Sequence, residues 1–209
     1  IGVDRNTKHH VLVASVLETG KVLKLGKSCF HIHHKYKNLR RGFQKAGKLR
    51  KVRDIKNRES RIVKDINHKT TTALVNFAKE QNACIVLENL EGIRQTAKQR
   101  KKNKGQRYSL HSWSFYQQMQ MIEYKSKKIG VSVHFVEPNY TSQRCRCGHI
   151  EQANRYGNLF HCKKCGIVED SGVNAGFNIA YLHKNGILRF SKESDLLKGN
   201  TDTPKEATL

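Results

Sequence analysis

The sequence predicts an α/β fold, a mixed sheet flanked by helices and carrying a small metal-binding ribbon as an insertion. Three observations lead there. Short β-rich runs open the chain and return near residues 83–90 and 131–139. Long stretches of helical periodicity separate them. Four of the 6 cysteines crowd into two close pairs between residues 145 and 165. Alternation of sheet and helix signals is the mark of layered α/β architecture, and paired cysteines in a short loop favour a metal over disulfides.

The elements follow in order. "IGVDR" (Ile1–Arg5), "HVLVASVL" (His10–Leu17) and "KVLKLGKSCF" (Lys21–Phe30) are three short strands, the last two joined by the hairpin signal "ETG". From His31 to Gln81 the chain turns helical and basic, with Leu49, Val52, Ile55, Ile62, Ile66 and Val75 spaced for one face. Gly42 and Gly47 are expected to break this segment into two helices. "ACIVLENL" (Ala83–Leu90) is a buried strand that ends in an acid. "RQTAKQRKKNKGQRYS" (Arg94–Ser109) has no periodicity and is expected to be a flexible loop that a nucleic acid orders. "LHSWSFYQQMQMIEYKSKKIG" (Leu110–Gly130) is an amphipathic helix with Phe115, Met119 and Ile122 inward and Gly130 as its stop. "VSVHFVEPN" (Val131–Asn139) alternates as a strand does and halts at Pro138. The cysteine block comes next, then the helix "VNAGFNIAYLHKNG", closed by Gly186, and a tail with little to bury. The order β-β-β-α-β-α-β-α is the layout of ribonuclease-H-like domains, although many α/β domains share it loosely.

Charge narrows the partners. Forty Lys+Arg against 17 Asp+Glu give the 209-residue chain a net charge of +23. Such an excess repels itself unless a polyanion relieves it, and nucleic acid is the commonest one. The long helix concentrates Lys45, Lys48, Arg50, Lys51, Arg53, Lys56, Arg58, Arg61 and Lys64 opposite its apolar positions. The loop adds Arg100, Lys101, Lys102, Lys104 and Arg107. A charged face is commonly only a solvated one, but a face of nearly single sign suits phosphate tracking. No apolar run approaches the roughly 18 residues of a membrane span, and no signal peptide opens the chain. The expected setting is the cytoplasm of a prokaryote, in association with the nucleoid, with no membrane partner and no small-molecule substrate.

Two acids occupy positions where strand chemistry would place them. Asp4 lies in the first strand and Glu88 closes the fourth. A carboxylate at the end of an apolar strand costs desolvation unless a cation or donor waits there. Magnesium takes one or two carboxylates per ion, and paired ions clamp the attacking and leaving oxygens of a phosphodiester. The plainer reading has Asp4 capping a turn and Glu88 meeting a basic side chain. In the cysteine block, Cys145, Cys147, Cys162 and Cys165 supply the four thiolates of a tetrahedral structural zinc. The second pair, Cys-Lys-Lys-Cys-Gly, is a zinc knuckle; the first, Cys-Arg-Cys, is one residue short, so that His149 or His161 could stand in for Cys145.

"GVDRNTKHHVLVAS", "IVLENLEGI", "LHSWSFYQQMQMIEYK", "VEPNYTSQRCRCGHI" and "FHCKKCGIVEDSGVNAGFNIA" together resemble the TnpB (OrfB) proteins of insertion-sequence transposons, over about Ile1 to Gly186. The resemblance implies a RuvC-type, ribonuclease-H-like nuclease domain over 1–139, completed by a C-terminal helix at 169–190. It also implies a zinc ribbon at 140–168 and leaves 191–209 as a disordered tail. An N-terminal region gripping guide RNA and target DNA is expected to be missing ahead of Ile1. The implied activity is RNA-guided DNA cleavage with magnesium or manganese. Asp4 and Glu88 match the first two catalytic carboxylates. The third belongs to the family pattern Asp-x-Asp-x-Asn-Ala, whose second Asp is the ligand. Here that stretch runs Asp170-Ser171-Gly172-Val173-Asn174-Ala175, so the ligand position is Gly172 and Asp170 matches the non-ligating partner. Three readings follow: a binding protein with impaired cleavage, an active nuclease in which Asp170 moves over, and a decaying transposon remnant. Loss of one of three ligands favours impairment.

Overall fold

Parity along the strands decides which side chains meet. The computed structural model describes residues 1–6, 9–90 and 114–191. The loop expected over Arg94–Ser109 and nearly all of the 191–209 tail lie outside the described residues. Strands β1 (Gly2–Arg5), β2 (Leu12–Ser15), β3 (Val22–Leu25), β4 (Ile85–Glu88) and β5 (Val133–Val136) form a five-stranded sheet in the order β3-β2-β1-β4-β5. The first three pair antiparallel, while β1–β4 and β4–β5 are parallel. This is the mixed sheet of the expected ribonuclease-H-like layout.

Successive side chains on a strand point to opposite faces. Val3, Leu12, Ala14, Ile85 and Leu87 enter one core, together with Val63, Leu74, Val75 and Ala78 of helix α2 (Leu49–Glu80) and Phe115 and Ile122 of helix α3 (Phe115–Ile129). Val13 and Val86 face the other side, beneath helix α4 (Ser171–Lys184), which lays Val173, Phe177, Ile179 and Leu182 over them. By the same parity, Asp4 and Glu88 belong to the α4 side. Beyond the sheet, β6 (Arg155–Tyr156), β7 (Leu159–His161) and β8 (Val168–Asp170) form a three-stranded antiparallel ribbon.

Two boundaries differ from the sequence reading. The third strand stops at Leu25, because Gly26 adopts a left-handed φ of 73° and helix α1 (Ser28–Lys45) starts directly after it. Of the two expected breaks in the basic segment, only Gly47 (φ 66°) makes one; Gly42 stays inside α1. The inner face of α2 is also more polar than its apolar spacing suggested. Leu49 is exposed, whereas Glu59, Asn67, Thr70 and Thr71 are buried. Glu59 pins the α1–α2 hairpin by accepting from His33 Nδ1 at 2.9 Å and pairing with Arg40. Asn67 joins α2 to α3, donating to Ser114 Oγ at 2.6 Å and accepting from Gln118 Nε2 at 2.9 Å.

Helix α4 is buried without interruption from Ser171 to Ala180. It reaches that depth by crossing β1 backbone to backbone, since a Cβ on Gly2 would stand 2.0 Å from the Gly176 carbonyl oxygen. Glycine is required here for space, not for φ. Gly2→Ala should therefore lower stability by about 1–3 kcal/mol, the usual cost of overpacking. Gly42→Ala, whose added Cβ meets nothing within 4 Å, should raise it by about 0.5–1 kcal/mol through helix propensity. Urea midpoints of the two variants check both signs, and an unchanged midpoint for Gly2→Ala contradicts the close crossing.

Candidate active site

Pairing of β1 with β4 sets Gly2 opposite Val86 and Val3 opposite Leu87. The next residues, Asp4 and Glu88, therefore come side by side at the C-terminal ends of two central strands. Both are buried, at 6% and 9% exposure. Asp4 Oδ2 accepts from Asn6 Nδ2 at 2.5 Å, and Glu88 Oε1 accepts from the Thr141 hydroxyl at 2.5 Å. Burial pushes the Asp4 carboxyl up to about 7, and the Glu88 charge adds to the rise against the opposing pull of Arg155 and Asn6. Glu88 is raised too, mainly by burial, with Thr141, Arg5 and Arg155 acting the other way. Arg5 reaches the pair from the opposite face of the sheet, donating from Nη2 to the Glu88 backbone carbonyl at 2.5 Å. Two buried carboxylates that disfavour each other's charge are a donor set suited to a divalent cation.

The two candidate positions for a third acid diverge. Asp170 is the N-cap of α4: its Oδ1 accepts from Gly172 N at 2.9 Å and Val173 N at 3.2 Å. Its Oδ2 accepts from Lys24 Nζ on β3 at 2.9 Å. Burial would raise this carboxyl, but Lys24 and the two amides outweigh it and hold it below the ordinary value. Gly172 is buried two residues further along. A Cβ there would lie 3.2 Å from Asp4 Oδ2, 3.3 Å from Asn6 Nδ2 and 3.1 Å from Val13 Cγ2. Position 172 thus faces Asp4, whereas Asp170 is turned to the helix end and to β3.

The four ribbon cysteines come together. Their sulfurs lie within 4.8 Å of one another, with 3.5 Å between Cys145 and Cys165 and 3.7 Å between Cys147 and Cys162. A tetrahedral ion with bonds of about 2.3 Å holds its sulfurs about 3.8 Å apart, so this set could hold a metal ion. The shortened Cys-Arg-Cys turn keeps Cys145 in the cluster; His149 pairs instead with Glu151 at 3.0 Å, and His161 is exposed on β7. Burial alone would raise the Cys162 thiol, but the Cys165 and Lys164 amides and the neighbouring thiols bring it down to about 6.

Asparagines that carried no assigned role in the sequence fasten the ribbon to α4. Asn174 Nδ2 donates to the Arg144 carbonyl at 3.0 Å, and Asn178 Nδ2 donates to the Thr141 and Arg144 carbonyls at 2.8 and 2.7 Å. Arg146 stacks 4.2 Å over the Phe177 ring and pairs with Glu169. Thr141 is shared: its carbonyl binds α4 while its hydroxyl holds Glu88. Spacing alone could not reveal Thr141 or Arg155, because each acts across elements distant in sequence; Asn6 lies only two residues from Asp4, and nothing in its residue type marked it. The basic residues Lys45, Lys48, Arg50, Lys51, Arg53, Lys56, Arg58, Arg61 and Lys64 are all exposed on the α1–α2 hairpin. Arg100, Lys101, Lys102, Lys104 and Arg107 lie outside the described residues.

The raised Asp4 pKa has a stability consequence. The folded protein keeps the Asp4 proton up to about pH 7, whereas the unfolded chain releases it near the ordinary 3.8. The associated stabilisation is complete below the lower value and is lost as pH rises through the higher one. In chelator, Asp4→Asn should raise stability at pH 8 by on the order of 2 kcal/mol and change it little at pH 4. Urea titrations at the two pH values check this, and equal midpoints at pH 8 contradict it.

Comparison with known proteins agrees with this architecture. Residues 115–179 match the family model described as Cas12f1-like, TNB domain. The chain is 32% identical over 144 residues to the CRISPR-associated endodeoxyribonuclease Cas12f1 of Sulfoacidibacillus thermotolerans, covering 68% of this chain and 32% of that protein. It is 37% identical over 123 residues to the TnpB-like protein MJ0751 of Methanocaldococcus jannaschii, covering 58% of this chain and 43% of that one. It therefore spans less than half the length of either relative. Among solved structures, a Cas12f1–sgRNA–target DNA complex shares the fold, with a TM-score of 0.67 at 23% identity over 85% of this chain and 48% of that chain. With the motifs in the same order and the fold shared, the chain is similar over most of its described length to TnpB-like and Cas12f proteins.

Proposed function

We propose that the chain is the RuvC-type part of an RNA-guided DNA-binding protein in which DNA cleavage is impaired. The single observation that carries this reading is the glycine at position 172: the position aims at Asp4, yet offers no carboxylate. In this reading Asp4 and Glu88 can hold one magnesium or manganese ion, which would supply charge stabilisation at a phosphodiester. Two carboxylates leave a paired-ion site short of the ligand that would complete it. Residues 1–139 and 169–190 make up the nuclease-type domain, and 140–168 the ribbon, whose four thiols suit structural zinc.

Binding does not need the missing carboxylate. Recognition through a guide RNA depends on a basic channel that reads duplex shape and backbone. The exposed basic hairpin supplies such a surface, and relatives carry the names CRISPR-associated endodeoxyribonuclease and putative RNA-guided DNA endonuclease. Guide RNA and target DNA are accordingly the proposed partners. One observation favours a second reading, an active nuclease using Asp170: this residue lies near enough to add to the rise of the Asp4 pKa. To ligate, however, it would have to give up both α4 amides and Lys24.

Cleavage of a guide-matched plasmid with magnesium or manganese separates the two readings. The unmodified protein should bind but leave the plasmid intact, and Gly172→Asp should raise cutting at least tenfold. Robust cutting by the unmodified protein that disappears in Asp170→Ala overturns the impaired reading. Affinity for nucleic acid should fall steeply with salt, each side chain that neutralises a phosphate contributing about 0.9 to the log–log slope. Arg50→Ala, Arg53→Ala and Arg61→Ala combined therefore should flatten it by up to about 3; an unchanged slope removes the α1–α2 hairpin from the interface.

A further inference from the structure

A second group of metal-type side chains lies at the opposite end of the sheet from the carboxylates. Cys84 immediately precedes β4, His134 is the second residue of β5, and His183 sits in the last turn of α4. Their sulfur and ring nitrogens all lie within 4.8 Å of one another. The two imidazoles stack with centroids 4.3 Å apart at an angle of 26°. Stacked rings beside a half-buried thiol can be simple packing. What distinguishes this set is that three different elements each deliver one borderline-soft donor to the same point. A tetrahedral zinc with one sulfur and two nitrogen ligands needs those atoms about 3.3–3.6 Å apart. Within the 4.8 Å bound the atoms need only close up slightly, and His134, exposed on β5, has room to move.

We propose that Cys84, His134 and His183 form a second metal site, which binds a zinc-class divalent cation with water in the fourth position. Thiolate and imidazole donors select against magnesium and calcium and suit zinc. The site is separate from the Asp4–Glu88 pair, because Cys84 and Glu88 are four residues apart on one extended segment, about 13 Å. It is separate from the ribbon as well, since it shares none of the four ribbon cysteines. Bound metal would tie β4 and β5 to the C-terminal end of α4, across the small core of Val86, Val136, Ile179 and Leu182.

The test is zinc content after equilibration with zinc and removal of excess by gel filtration, with circular dichroism confirming the fold. The unmodified protein should retain about two zinc ions per chain, one for each donor set. Cys84→Ser, His134→Ala and His183→Ala should each lose one and keep the ribbon ion, whereas Cys162→Ser should lose the ribbon ion and keep the other. His134 is exposed, so its replacement leaves the core untouched and its result stands even where Cys84→Ser perturbs packing. A zinc count that is the same in the unmodified protein and in His134→Ala overturns the proposal, as does a single ion that Cys162→Ser abolishes.

Discussion

The crossing of α4 over β1 at Gly2 and Gly176 is the contact on which the rest of the α4 side depends. No side chain separates the two backbones there, so the helix lies deeper than ridge-and-groove packing would allow. That depth fixes the ends of the helix at once. Its N-terminus brings Gly172 against Asp4; its outer flank offers Asn174 and Asn178 to the ribbon; its last turn carries His183 to the start of β4. A helix held farther from the sheet would separate all three. Placement of the site thus follows from the absence of atoms at two glycines, more than from any attraction near the carboxylates.

Electrostatics runs against this arrangement. In a chain of net charge +23, two acids are buried next to each other while most of the basic side chains point to solvent. The nearest compensation is partial: a hydroxyl from Thr141, an amide from Asn6, and guanidinium groups from Arg5 and Arg155. Full pairing by a buried arginine would relieve the repulsion but would also occupy the place where a cation or phosphate could enter. Functional sites commonly retain such local instability and offset it elsewhere. Here the offset comes from the apolar core beneath the sheet and from the buried Glu59 and Asn67 contacts that lock the helices together.

Much of this was legible in the sequence, for identifiable reasons. Asp4 and Glu88 could be placed at strand ends because the residues before them are uniformly apolar. The ribbon could be located because its donors sit within 21 residues, from Cys145 to Cys165. Local chemistry also blurred some features. The β3 boundary depended on the left-handed turn at Gly26, which Lys21–Phe30 concealed behind β-favouring neighbours. The inner face of α2 escaped an apolar count because Glu59, Asn67, Thr70 and Thr71 are buried through hydrogen bonds and not by hydrophobicity. Contacts such as Thr141 with Glu88, or Cys84 with His134 and His183, join residues about 50 or more apart, and only the fold brings them together.

The glycine at position 172 also has a genetic meaning. The codons of glycine and aspartate differ at the second base wherever the third is a pyrimidine, so a single transition converts one residue into the other. The backbone around position 172 retains its aim at Asp4, and the helix cap at Asp170 would not have to be rebuilt. In the proposed reading such an impairment is shallow in evolutionary terms: one point mutation separates the two states, and the neighbouring Val13 and Asn6 need shift only by tenths of an ångström to admit the added side chain.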